Sequence, residues 1–97
     1  MFTLFGSLTV TDFEAFKAAT ASYTKEQLAA RGIVDQTLYR VIGEDRAVIA
    51  NTYNTLEAAQ KDGAMIAAVT EEQLAHIGAA FPMTQWLAEG VYHVTTA

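Results

Sequence analysis

The sequence predicts an α+β fold: a four-stranded antiparallel sheet with helices on one face, in the element order β-α-β-β-α-β. Three observations carry this reading. Four segments alternate with period two, and the stretches between them repeat apolar residues every three or four positions. The chain has 97 residues, enough for one domain (1–97) and too few for two.

The first strand spans Phe2 to Val10, with Phe2, Leu4, Gly6, Leu8 and Val10 on one side and Thr3, Phe5, Ser7 and Thr9 on the other. Gly6, in mid-strand, marks either a bulge or the close approach of something bulky. Thr11-Asp12-Phe13-Glu14 reads as a capping box. Behind it Phe13, Phe16, Thr20, Tyr23 and Gln27 form an amphipathic helix ending near Arg31, with Gly32 as its C′ residue. Low helix propensity between Thr20 and Thr24 makes that stretch the place for a kink.

Strands over Asp35–Ile42 and Arg46–Tyr53 follow, joined as a hairpin through Gly43-Glu44-Asp45. A two- or four-residue loop puts Leu38, Arg40, Ile42, Ala47, Ile49, Asn51 and Tyr53 on one face. Thr37, Tyr39, Val41, Val48, Ala50 and Thr52 then share the other. A three-residue loop would scramble this pairing.

Asn54-Thr55-Leu56-Glu57 starts another helical region, in which Leu56, Ala59, Gly63 and Ile66 form a stripe. Thr70-Glu71-Glu72-Gln73 offers a second capping box before Leu74, Ile77 and Phe81, so Thr55 to Ala80 holds two helices or one broken one. The only proline, Pro82, ends the region. A last strand alternates from about Trp86 to Thr95.

This order is the ferredoxin-like one, which leaves one sheet face without helices. A face that met water would alternate apolar with charged residues. Here the strands carry only Asp35, Arg40, Arg46 and Glu89. The expected cover is a second copy related by a two-fold axis, the two sheets packed face to face. A monomer with an open sheet is the alternative.

Composition narrows the function. Hydrophobic residues make up 52% of the chain and charged ones 18%, more apolar material than one small globule needs. The formal net charge is -5 and the six basic side chains are scattered, which argues against nucleic acid and against a membrane surface. There is no cysteine, hence no disulfide, thiolate metal site or thiol nucleophile. No apolar run is long enough for a bilayer and the N-terminus lacks a positive leader region, so a cytoplasmic protein is expected. No Gly-rich phosphate loop follows a strand, so no nucleotide cofactor is expected.

Several stretches together resemble the dimeric α+β barrel group that includes the antibiotic-biosynthesis-monooxygenase-like domains. They are Val10-Thr11-Asp12-Phe13-Glu14-Ala15-Phe16-Lys17, the hairpin from Leu38-Tyr39-Arg40-Val41 to Val48-Ile49-Ala50, Tyr53-Asn54-Thr55-Leu56-Glu57-Ala58-Ala59, and Trp86-Leu87-Ala88-Glu89-Gly90-Val91-Tyr92. The resemblance spans nearly the whole chain and is one of pattern. It implies a homodimer with a pocket between sheet and helices. It also implies one of several chemistries: cofactor-free oxygenation of polycyclic phenols, haem degradation, or lactone isomerisation and cyclisation. The haem-degrading branch uses an Asn on the first strand with a Trp and a His. This first strand has no Asn and Trp86 lies near the last strand, which counts against that branch.

Among individual residues, His93 is the first candidate general base, since it sits on the expected last strand and imidazole titrates near neutrality. The bland alternative is a rim histidine. His76 falls opposite the stripe of Leu74, Ile77 and Phe81 and reads as solvated. Neither histidine has neighbours at metal-ligand spacing, so no metal is expected. Asn51 and Tyr53 share a face with Arg40. An amide, a phenol and a guanidinium on an apolar wall suit a carbonyl or enolate, as they equally suit ordinary sheet decoration. Tyr39, Tyr92 and Trp86 are the aromatics expected to line a pocket for a flat ligand, or else to be core. The functional expectation is a small, cofactor-free enzyme acting on a flat oxygenated aromatic or enolisable compound. The alternative is a non-catalytic dimer that binds a ligand or partner.

Overall fold

The computed structural model describes residues 1–97. Eight elements follow one another: β1 (Phe2–Val10), α1 (Phe13–Ala21), α2 (Lys25–Ala30), β2 (Ile33–Arg40), β3 (Arg46–Tyr53), α3 (Leu56–Ala67), α4 (Glu71–His76) and β4 (Ala79–Glu89). The strands form one antiparallel sheet in the order β2-β3-β1-β4, the ferredoxin-like arrangement.

Each helical region is split in two, and the caps say why. Ser22 ends α1, and the Thr24 side chain accepts from the Gln27 amide while the Gln27 side chain accepts from the Thr24 amide, so a new helix starts at once. Thr70 and Gln73 repeat this reciprocal pair at the start of α4. At α1 the cap is Asp12 rather than Thr11: its carboxylate accepts from the Ala15 amide at 3.1 Å.

The hairpin has the four-residue loop. The Val41 amide donates to the Arg46 carbonyl at 3.1 Å, leaving residues 42–45 to turn, with Gly43 at φ 81°. Leu38 therefore pairs with Ile49 and Arg40 with Ala47, which preserves the expected faces. Ile42 leaves the strand and is exposed in the turn.

The last strand differs from expectation. β4 begins at Ala79 and ends at Glu89, so it starts seven residues early and stops six short of Thr95. Pro82 lies inside it rather than closing a helix. A register shift opposite Leu8/Thr9 leaves Phe81 and Pro82 as extra residues between the pairs Leu8–Met83 and Thr9–Ala80. Proline is tolerated there because β4 is an edge strand and a bulge does not use every amide. The two extra residues keep the parity, with Ala79 and Met83 both facing the helices, but they leave Phe81 and Pro82 out of the ladder, and this interruption hides the strand's first half. Past Glu89 the chain has no strand partner, so Tyr92 and His93 are not on a strand.

Alternation assigns Leu4, Gly6, Leu8, Ile49, Asn51, Tyr53, Met83, Gln85 and Leu87 to the helix side of the sheet. The core there is in two parts. Leu8, Val10, Phe16, Ala47, Leu74 and Ala79 form one cluster, and Leu4, Ile33, Tyr53 and Ala59 form the other. On the central strand β1, Leu4 belongs to one cluster and Leu8 to the other. Gly6 lies between them, and it contributes no side chain to close the gap.

Candidate functional site

The gap between the two core clusters is a cavity of about 1050 Å³ between sheet and helices. Its apolar walls come from Leu4, Leu8 and Ile49 on the sheet and from Phe16, Leu74 and Ile77 on the helices. A side chain at Gly6 would meet nothing within 4 Å, so the floor is open at that point.

Polar groups enter at few places. Gln36 of β2 and Asn51 of β3 are cross-strand partners, and Gln36 Nε2 donates to Asn51 Oδ1 at 2.9 Å. Gln85 of β4 is the cross-strand partner of Gly6, and its Nε2 is buried without a hydrogen-bond partner. The floor is thus three neutral amides set into an apolar surface. Titratable side chains stand elsewhere on the lining: Tyr23, Arg31, Glu72 and His76. Glu72 and His76 are one turn apart on the short, exposed α4, at the rim.

Beside the floor, between the sheet and α3, lies a largely buried ionic cluster. The Arg31 guanidinium donates from Nε to Asp62 Oδ1 at 2.8 Å and from a terminal nitrogen to Asp62 Oδ2 at 3.0 Å, a bidentate pair. The Tyr53 hydroxyl donates to the same Oδ2. Asp62 is almost wholly buried, and these three donors are what make its burial tolerable. Burial raises the Tyr53 pKa above the ordinary 10.0, and the bond to Asp62 and its charge push the same way, while Arg31 and Asn51 pull back only in part. Tyr53 is a neutral phenol. For Arg31 burial works against the charge, but the hydrogen bonds and charge of Asp62 outweigh it and raise the pKa.

The residues expected from the sequence scatter over this frame. Asn51 lines the cavity, and Tyr53 stands behind it, fully buried. Arg40 shares their face but not their site. Its guanidinium stacks 3.9 Å above the Phe13 ring and reaches Glu14 at 3.4 Å, on the outer side of α1. Tyr39 and Trp86 lie on the open face, about half exposed, where Trp86 stacks on Phe5 with centroids 5.4 Å apart. Tyr92 and His93 are exposed beyond β4, and His93 Nε2 shares a hydrogen bond with the Thr95 hydroxyl at 3.1 Å. His76, read as solvated, is exposed but borders the cavity.

Sequence reasoning missed Gln36, Gln85 and Arg31. The signal for the two glutamines was present: each falls on the inward parity of its strand, where an apolar residue is the default. Arg31 offered no such signal, because its position follows from how α2 returns toward α3.

The fold and its helix-side cavity define the class: a ferredoxin-like domain with one sheet face open. No family model matches the chain, and no curated protein matches it. Solved structures do. A dimeric ferredoxin-like protein from an uncultured marine organism superposes with TM-score 0.67 at 16% identity, over 99% of this chain and 100% of its own. A provisionally named antibiotic biosynthesis monooxygenase from Bordetella bronchiseptica gives 0.68 at 20%, covering 94% and 97%. SnoaB, a cofactor-independent oxygenase from Streptomyces nogalater, gives 0.62 at 18%, covering 98% and 97%. At these identities the likeness is one of fold.

Proposed function

We propose that this protein is a homodimeric enzyme that binds a flat, oxygenated aromatic or enolisable molecule in the helix-side cavity and acts on it without a cofactor. The observation that carries the reading is the make-up of the cavity: apolar walls over a floor whose only polar groups are the amides of Gln36, Asn51 and Gln85. Such walls suit fused rings, and neutral amides suit the oxygens on them. The same amides stabilise charge that develops when a ring hydroxyl or α-carbon loses its proton.

The chemistry in this reading belongs largely to the substrate. Deprotonation gives a carbanion that reduces dioxygen itself: a ring CH2 becomes C=O and one water leaves, with all four electrons supplied by that carbon. Isomerisation or lactone cyclisation would stop at the enolate. The protein's part is orientation and electrostatics. His76 at the rim, rather than the exposed His93, is the histidine within the cavity's reach to take the proton.

A second reading has an observation of its own. No histidine or carboxylate lines the floor beside the amides, and the acid–base groups stand at the rim. That arrangement also fits a dimer that binds its ligand without transforming it.

The test is a panel of hydroxynaphthalenes, quinols and lactones, read by tryptophan fluorescence for binding and by oxygen electrode and chromatography for turnover. Binding with consumption of oxygen or formation of an isomer supports the enzyme; binding alone supports the second reading. Asn51→Leu should weaken binding about tenfold or more while leaving the fold intact, since one hydrogen-bonding group is lost from the floor. If the variant loses only stability, Asn51 is structural.

A further inference from the structure

We infer that Gln85 is a ligand-contact residue whose amide N–H binds a ring carbonyl or phenolate oxygen of a molecule lying across Gly6. This deepens the cavity reading and rests on it.

Three observations converge on one spot. Gln85 Nε2 is buried and has no partner among the protein's own atoms. A buried donor left unpaired is costly, and native folds hold few of them. Its cross-strand neighbour is Gly6, above which a side chain would meet nothing within 4 Å. The space above Gly6 is thus open, and Gly6 and Gln85 line the same cavity. On the far side, a side chain at Gly63 of α3 would sit 3.6 Å from Gln85 Oε1 and 3.3 Å from Leu4 Cδ2. Because Gly63 has none, α3 comes close enough to back the amide.

What surrounds that space selects the ligand chemistry. Gly6 is flanked across β3 by Ile49 and along its own strand by Leu4 and Leu8, and Met83 and Leu87 flank Gln85 along β4. None offers a side-chain acceptor. The missing acceptor must therefore arrive with the occupant, on a body flat and apolar enough to rest on these side chains. An oxygen conjugated to a ring meets both conditions. A bare hydrocarbon would fill the space and leave the donor unpaired. The gap that Gly6 leaves between the two core clusters provides the room for the ring.

The experiment compares 2-hydroxy-1,4-naphthoquinone with naphthalene on the wild-type protein and on Gln85→Met, which keeps the side chain's length and removes its hydrogen bonds. The wild type should bind the quinone more tightly than naphthalene. In Gln85→Met the quinone affinity should fall about tenfold, naphthalene binding should stay unchanged, and the melting temperature should not fall, because an unpaired donor has gone. Equal weakening of both probes, or no change in either, overturns the assignment and leaves the cavity reading standing. If the wild type binds neither probe, the cavity reading fails and takes the assignment with it. Should Gln85→Met not fold, the wild type decides: quinone should shift the Gln85 side-chain amide resonances in a 15N spectrum and naphthalene should shift them less. Unmoved Gln85 amide resonances under saturating quinone refute the contact.

Discussion

Tyr53 is the largest side chain that the fold buries completely, and its hydroxyl must then find a partner inside. It finds Asp62, which also holds Arg31. The three form a closed set, a neutral phenol, a carboxylate and a guanidinium, next to Asn51 on the helix side of the sheet. Their pKa directions make a testable statement about pH. The unfolded phenol loses its proton near its ordinary 10.0, the folded one only above that. Between the two values the folded state holds the extra proton, so this contribution is complete below pH 10 and falls as pH rises through the folded pKa. The contribution of Arg31 has the same sign and begins to fade only at still higher pH, above the ordinary guanidinium range. Tyr53→Phe should cost about 1–3 kcal/mol at neutral pH in urea denaturation, because Asp62 loses a donor. Its stability should also decline less steeply than that of the wild type between pH 10 and 12. Parallel curves would mean that the phenol is not the titrating group. The inward parity of Tyr53 could be read from the sequence, whereas its partners could not: Arg31 caps the end of α2 and Asp62 lies on α3, and nothing local ties them together.

Between elements, one joint holds both ends of the helix layer. The α4–β4 turn passes through Gly78 at φ 77°, and its carbonyl accepts from the Thr11 and Asp12 amides at 2.8 and 3.1 Å, just where α1 begins. A side chain at Gly78 would lie 2.6 Å from the Asp12 carbonyl oxygen, closer than real atoms pack. Gly78→Ala therefore combines left-handed strain with a backbone clash and should cost about 2–4 kcal/mol in chemical denaturation. A loss below about 0.5 kcal/mol would show that the joint gives way easily. Thr70→Ala, at the cap of the same helix, should cost about 1 kcal/mol. The contrast between these two positions explains what was legible. Thr70-Glu71-Glu72-Gln73 announces its helix within four residues, and the Leu38–Ile49 parity follows from strand period and a short loop. Gly78 matters because of Asp12, sixty-six residues away in sequence (78 − 12), which no local pattern expresses. The same limit hid β4: Phe81 and Pro82 interrupt its pairing, and the alternation from Val91 to Val94 continues where no neighbouring strand exists to pair with it.

For the whole molecule, the open sheet face is the feature that a single copy leaves unresolved. Thr3, Phe5, Ser7 and Thr9 from β1 lie there with Thr37 and Tyr39 from β2, Val48, Ala50 and Thr52 from β3, and Thr84, Trp86 and Ala88 from β4. Asp35, at one corner, and Arg46, which pairs with Thr9 at the β3 end and donates to the Ser7 hydroxyl at 3.2 Å, are the charged side chains among them. Trp86 and Tyr39 are 48% and 52% exposed on it, in a chain whose other sheet face is covered by helices. Exposed aromatics on a face with charges only at its ends mark an interface, and a two-fold copy of the same face offers matching small and aromatic groups. Sedimentation at micromolar concentration should therefore give about twice the 10.5 kDa chain mass. An obligate interface of this kind buries roughly 2,000 Å² or more, so it should survive dilution well below that concentration. Trp86→Arg on the wild-type background replaces the stack with Phe5 by a charge on the uncovered face. It should shift the protein to monomer or to aggregate, while Met83→Leu on the opposite face of the same strand should leave the assembly unchanged. A wild-type monomer at high micromolar concentration, or a Trp86→Arg variant that still sediments as a dimer with wild-type affinity, would remove the face-to-face arrangement.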